Sequence, residues 1–343
     1  MIDFSLDDGE REILAAVTAF LDGEAPLDRL NPTPAAAGDA EASIVGKVAA
    51  LGYFGLGLPE ALGGLGLSLA TEALVFREFG RRLLSPAVLA ATIGARILAF
   101  GEARAEAEAL LSGEARAGLA VPLIYSDAPP TAGEAFYLVE APEAAVLVTW
   151  GAFGAAVIAS TNISGIRQVR GLDGALTLAR GELARAPRCI VASADPSDAS
   201  ARADLLAAAY LAGIAEGTRD AAVEYAKTRE QFGQPIGAFQ AVKHRCADMA
   251  VRATAAWAQT LYAAIEADGL GRISSFQAHC AALIATDAAV RNAAANIQNH
   301  GAIGFTGEHH PHLFLKRAHV LDRILGGAAA RRRRLLAAPA PAA

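Results

Sequence analysis

Apolar residues recur at helical spacing near the start of the chain, where Leu14, Val17, Phe20 and Leu21 follow the acidic pair Asp7-Asp8, and this predicts an amphipathic helix. The same spacing returns over residues 70–84, with Leu74, Val75 and Phe79 on one face. Between them, proline and three glycines in Leu58-Pro59-Glu60-Ala61-Leu62-Gly63-Gly64-Leu65-Gly66 require a loop. Residues 31–39, with two prolines and an alanine run, predict a surface loop. Over residues 119–192 the texture changes to short runs of Val, Ile, Thr and Gly between turn signals, as expected of a small antiparallel β-domain. A linker over 193–200 then leads into long helices expected at 204–230, 239–268, 274–301 and 310–334.

These elements predict an α+β fold that is mainly α. An N-terminal helical domain (1–117) precedes a small middle β-domain (118–195), a C-terminal four-helix bundle (196–335) and a disordered tail (336–343). No internal repeat is visible.

Composition narrows the picture. Of 343 residues, 53% are hydrophobic, 19% charged and 6% aromatic, which excludes disorder and leaves alanine and leucine to build the core. A net charge of −6 gives no general attraction to nucleic acid or an anionic membrane. Cys189, Cys246 and Cys280 stand far apart without CxxC spacing, which excludes a zinc ribbon or a disulfide framework and fits a reducing compartment. The acidic first eight residues do not read as a basic targeting peptide, so a cytoplasmic location is expected. Mean hydropathy is +0.31, and residues 144–166 carry no charge. Gly151, Gly154 and Gly165 interrupt that stretch, which reads as two buried strands around a turn rather than a membrane span.

Two segments carry candidate chemistry. In Tyr225-Ala226-Lys227-Thr228-Arg229-Glu230-Gln231-Phe232-Gly233-Gln234-Pro235-Ile236 a helix ends at Gly233, Pro235 blocks its continuation, and a new helix begins near Phe239-Gln240. In Ile297-Gln298-Asn299-His300-Gly301-Ala302-Ile303-Gly304 a helix runs into a Gly-x-x-Gly turn that permits close approach to the backbone. Each alone is also explained by ordinary helix termination. Together, in this order, they resemble the flavin-binding elements of the acyl-CoA dehydrogenase family. Leu58-Pro59-Glu60 with Gly63-Gly64-Leu65-Gly66, and Phe76-Arg77-Glu78-Phe79-Gly80-Arg81, look like that family's Pro-Glu…Gly-Gly-x-Gly loop and Glu-x-Gly-Arg helix end.

The resemblance implies FAD shared between subunits. Arg229 would pair with its diphosphate, Phe232 would pack on the cofactor, Gln240 would lie near the adenine end, and Gln298 with Gly301 would form the turn at the diphosphate. It also exposes two departures. The family's usual base, a Glu before Gly, falls at Leu325, which cannot accept a proton. Other members place the base near the start of the first bundle helix, where Asp204 stands one residue off register; a helix N-cap is its alternative role. The family's Thr-Glu-Pro…Gly-Ser-Asp strand has no counterpart beyond Ala120-Val121-Pro122-Leu123.

Other polar clusters read more plainly. His309-His310-Pro311-His312 lacks metal-ligand spacing, so no metal is expected. Glu308 reads as a solvated turn carboxylate, with the lining of an acyl cavity as the alternative. Arg331-Arg332-Arg333-Arg334 reads as a helix C-terminal charge run, with a CoA phosphate or an acidic partner as the alternative. The resemblance therefore implies a subunit of an FAD-dependent acyl-CoA dehydrogenase acting on a CoA thioester. A related subunit would supply the catalytic Glu in a heterotetramer like those of bacterial steroid breakdown, and a flavin-type acceptor would take the electrons. The alternatives are a self-sufficient homo-oligomer with Asp204 as base, and a silent acyl-CoA-binding scaffold.

Overall fold

The structure is a computed structural model that describes residues 4–30, 34–101, 103–185, 187 and 196–339, and for 34–39 and 196–198 the backbone only. Helix α1 (Asp8–Glu24) opens on a capping box: Glu10 N donates to Asp7 Oδ1 at 2.7 Å, and Asp7 N donates to Glu10 Oε2 at 3.0 Å. The loop expected at 31–39 is instead helical from α2 (Pro34–Ala50), because proline suits the first position of a helix; residues 31–33 lie outside the described ones. Helices α3 (Leu69–Arg81), α4 (Ala87–Phe100) and α5 (Arg104–Ser112) follow.

Strands β1 (Arg116–Pro122), β2 (Ala135–Val139), β3 (Ala144–Gly151), β4 (Gly154–Ala159), β5 (Ile163–Gln168) and β6 (Leu178–Leu183) form one sheet in the order β4-β3-β1-β2-β6-β5. The sheet is mixed rather than antiparallel throughout, since β1 and β3 run parallel. The uncharged stretch forms the buried hairpin β3–β4 and then the edge strand β5. Among the described residues no helix is long and apolar enough to cross a membrane.

Helix α6 (Pro196–Thr228) begins inside the expected linker, and residues 193–195 lie outside the described ones. A two-stranded ribbon, β7 (Glu230–Gln231) and β8 (Gln234–Pro235), joins it to α7 (Gln240–Leu270), which is followed by α8 (Ser275–His300). The expected final helix is two, α9 (Pro311–Ile324) and α10 (Gly327–Ala337), because Gly326 and Gly327 take φ of +82° and +79°. Residues 336 and 337, expected in the tail, are thus helical; 340–343 lie outside the described residues.

Helix α6 is the axis of the molecule. From Ala199 to Glu216 every side chain but that of Arg202 is buried. It crosses α3 without side chains between the backbones: a Cβ on Gly80 would lie 1.9 Å from Tyr210 O, and one on Gly213 would lie 1.9 Å from Arg77 O. On α7, Asp268 accepts from Leu69 N at 2.8 Å and Ala70 N at 3.0 Å, capping α3 from the far end of the chain. Arg317 of α9 is buried, pairs with Asp173 at 2.6 Å, and donates to Leu83 O and Leu84 O, also at 2.6 Å.

Candidate functional site

The hairpin after α6 is built by its turn. Phe232 and Gly233 have φ of +54° and +78° between Gln231 and Gln234, the left-handed pair that joins two strands tightly. For a bulky residue this φ is strained, and it leaves Phe232 92% exposed, with Phe239 edge-on to its ring at 6.0 Å. Ile236 N donates to Arg229 O at 2.8 Å and closes the ribbon.

The end of α8 adjoins this hairpin. Tyr225, one turn before Arg229, stacks on His300 with centroids 4.0 Å apart. Burial lowers the His300 pKa, and its Nδ1 lies 2.9 Å from Asn296 O. At the start of α7, Arg245 donates to Asn299 Oδ1 at 2.8 Å. One end of the bundle therefore carries Arg229, Phe232, Gln240, Gln298 and Gly301. The side chains of Arg229, Gln240 and Gln298 are all exposed. Gly301, at φ +67°, has open space where a Cβ would stand.

The Leu325 turn is built differently. Leu325 is buried, and none of Leu325, Gly326 and Gly327 carries a carboxylate. From α10, Arg334 folds back to donate to Leu325 O at 2.8 Å and to Asp204 Oδ2 at 3.2 Å. Asp204 is fully buried; its Oδ1 accepts from Trp150 Nε1 at 2.9 Å, and its Oδ2 lies 3.1 Å from His279 Nδ1. Burial opposes its charge, but Arg334, His279 and Trp150 outweigh it and hold its pKa below the ordinary carboxylate value. Asp204 is thus neither an accessible base nor an N-cap, since it lies well inside α6.

The arginine run also divides. Arg331 and Arg334 are buried, Arg331 pairing with Asp322 at 2.5 Å, while Arg332 and Arg333 are exposed. Their i,i+3 spacing was the available signal that two of the four share an inward face. Tyr125 packs against Gly326, where a Cβ would approach its ring to 2.7 Å, and lies under Arg333 and Arg334. Glu308 is exposed, and among the described residues no group of three or more His, Cys, Asp or Glu could hold a metal ion.

A cavity of about 400 Å³ lies between α9 and the face of the sheet made by β1, β2 and β6, beside this turn. Sequence reasoning did not find it, because its lining comes from segments far apart in the chain.

The profile of the acyl-CoA dehydrogenase N-terminal domain matches residues 7–112, and that of the C-terminal domain residues 202–340. Acyl-CoA dehydrogenase FadE34 of Mycobacterium tuberculosis is 38% identical over 306 residues, 87% of this chain but 42% of that protein, so the chain spans less than half of FadE34. Acyl-CoA dehydrogenase IpdE2 of the same organism is 36% identical over 277 residues, 80% of this chain and 79% of that one. In fold, the chain matches the ChsE4-ChsE5 complex of M. tuberculosis with a TM-score of 0.80 and 23% identity, covering 99% of this chain and 100% of that one. A steroid ACAD variant, Tcur3481-Tcur3483, matches with a TM-score of 0.80 and 24% identity, covering 96% and 97%.

Proposed function

The chain belongs to the acyl-CoA dehydrogenase family, and from that premise we propose that it is one subunit of an FAD-dependent dehydrogenase whose catalytic Glu comes from a related partner chain. The observation that carries this reading is the Leu325 turn, which has no carboxylate and is held from behind by Arg334 and Asp204. The partner is a second chain of the same fold, consistent with the paired names of the ChsE4-ChsE5 and Tcur3481-Tcur3483 structures. The likeness to the steroid ACAD Tcur3481-Tcur3483 supports a bulky, sterol-derived CoA thioester as substrate.

The end of the bundle fits a dinucleotide. It offers an exposed guanidinium, an exposed ring and a glycine with open space at its Cα. The Arg229 guanidinium would hold the diphosphate with two parallel N–H donors. Phe232 would cover the cofactor and exclude water, Gln240 would reach the adenine end, and Gln298 with the Gly301 backbone would border the diphosphate. FAD, when bound, supplies the acceptor for the hydride lost from the substrate β-carbon. The partner's Glu would take the α-proton, a task that Asp204, buried and held ionised, does not perform.

Co-expression with a homologous acyl-CoA dehydrogenase chain tests the reading. The expected result is a yellow hetero-oligomer that oxidises acyl-CoA, with neither property in this chain alone. A chain that purifies alone with stoichiometric FAD and dehydrogenates acyl-CoA overturns it.

A further inference from the structure

An aromatic contact joins the ribbon that carries Arg229 to the turn that carries Gly301. The ribbon folds back on the end of α6: Arg229 N donates to Tyr225 O at 2.9 Å, and a Cβ on Gly237, just past the ribbon, would lie 2.9 Å from Ala226 O. The single turn Gly301–Phe305 folds back in the same way on the end of α8, where a Cβ on Gly304 would lie 2.7 Å from Ile297 O and 3.0 Å from His300 Cβ. Tyr225 and His300 thus stand at the roots of the two elements. Their rings, both half-buried, lie 4.0 Å apart and within 20° of parallel. The nearby bond from Arg245 to Asn299 ties α8 to α7 rather than to α6.

The His300 ring is fixed in both orientation and charge. Its Nδ1 lies 2.9 Å from Asn296 O, and because a carbonyl oxygen only accepts, Nδ1 carries the proton and donates it. Burial, and then the His309 imidazole with its centroid 6.1 Å away, oppose a second proton on Nε2. The ring therefore lies on Tyr225 as a neutral, planar surface. We propose that the Tyr225–His300 stack is a positioning contact, setting the distance between Arg229 and the Gly301 turn so that both meet a dinucleotide diphosphate as one preformed site. Stacked rings suit this task because they hold each other's orientation as well as their separation, and a site ordered beforehand loses less freedom when its ligand arrives. Neither residue is catalytic, since each acts through its neighbour, Arg229 or Gly301. The identity of the ligand rests on the dehydrogenase reading; the positioning rests on the contact itself.

Hydrogen exchange on the full chain alone and flavin retention in the co-expressed complex test this together. Tyr225→Leu and His300→Leu keep apolar bulk but remove one ring, whereas Tyr225→Phe and His300→Phe keep the stack. In the chain alone, the Ile236 amide, which donates to Arg229 O at 2.8 Å, should exchange roughly three- to tenfold faster in the leucine variants, the factor that an aromatic pair contributes beyond its buried area. The phenylalanine variants should exchange at the wild-type rate. Amides of α6 between Ala199 and Glu216 should keep their protection in all four, which separates positioning from general loosening. In the complex, the leucine variants should hold flavin roughly three- to tenfold more weakly with assembly intact, and the phenylalanine variants as tightly as the wild type. Unchanged Ile236 exchange in both leucine variants, loss of α6 protection in step with it, phenylalanine variants as impaired as the leucine ones, or a loosened ribbon with wild-type flavin retention overturns the proposal. A wild-type complex that holds no flavin overturns the dehydrogenase reading alone, because the exchange rates still decide whether the stack fixes the ribbon.

Discussion

Arg334 on α10 and Asp204 in α6, 130 positions apart in sequence, meet at 3.2 Å in the interior, and the same guanidinium holds the carbonyl of Leu325. This pair ties the turn that ends α9 to the axis of the molecule. Asp204→Ala leaves the Arg334 charge buried without its partner, a loss of about 3–5 kcal/mol. Urea unfolding should show that loss, and Asp204→Ala combined with Arg334→Met should recover part of it.

The pair also sets an acid limit. The folded-state pKa of Asp204 lies below its unfolded value, so its stabilisation is complete above about pH 4 and is withdrawn as pH falls through the folded value. The urea midpoint should therefore drop more steeply below about pH 4 in the wild type than in Asp204→Asn.

The hairpin should behave in the opposite way. Arg229 and Phe232 are exposed, so Arg229→Gln and Phe232→Ala should change stability by no more than about 0.5 kcal/mol. In the co-expressed complex, Arg229→Gln should weaken flavin retention roughly tenfold, since a hydrogen bond to a charged group contributes about 1.5–3 kcal/mol. Visible absorbance per complex after gel filtration reads this out.

Gly80 is fixed by distance rather than by conformation. A methyl group there would overlap the Tyr210 carbonyl, so Gly80→Ala should force α3 and α6 apart and cost about 3 kcal/mol or more. Gly269, with nothing within 4 Å of its ideal Cβ position, is the control at which alanine is tolerated.

Much of this architecture was legible from periodicity and punctuation. The α1 and α3 stripes, the change of texture to strands and the helix breaks around Gly233 and Gly301 are local signals, and local physics decides them. The Gly326-Gly327 pair is a local signal of the same kind, and it divides the helix expected over 310–334. The parallel pairing of β1 with β3 was not legible, because it depends on which strand β2 leaves beside β1. At the candidate site, the hairpin residues could be named from a motif, whereas the buried state of Asp204 could not. Its three partners, Trp150, His279 and Arg334, come from a strand and two helices that meet only in the folded chain.

The cap that Asp268 places on α3 has a consequence for how the molecule can be taken apart. The first turn of an early helix is completed by a residue 198 positions later, and Leu83 and Leu84 are held by a guanidinium later still. Segments that look separable along the sequence therefore share one cooperative unit. Cutting the chain between the sheet and α6 should yield two insoluble fragments rather than two domains, and a ribosome must finish nearly the whole chain before its beginning can settle.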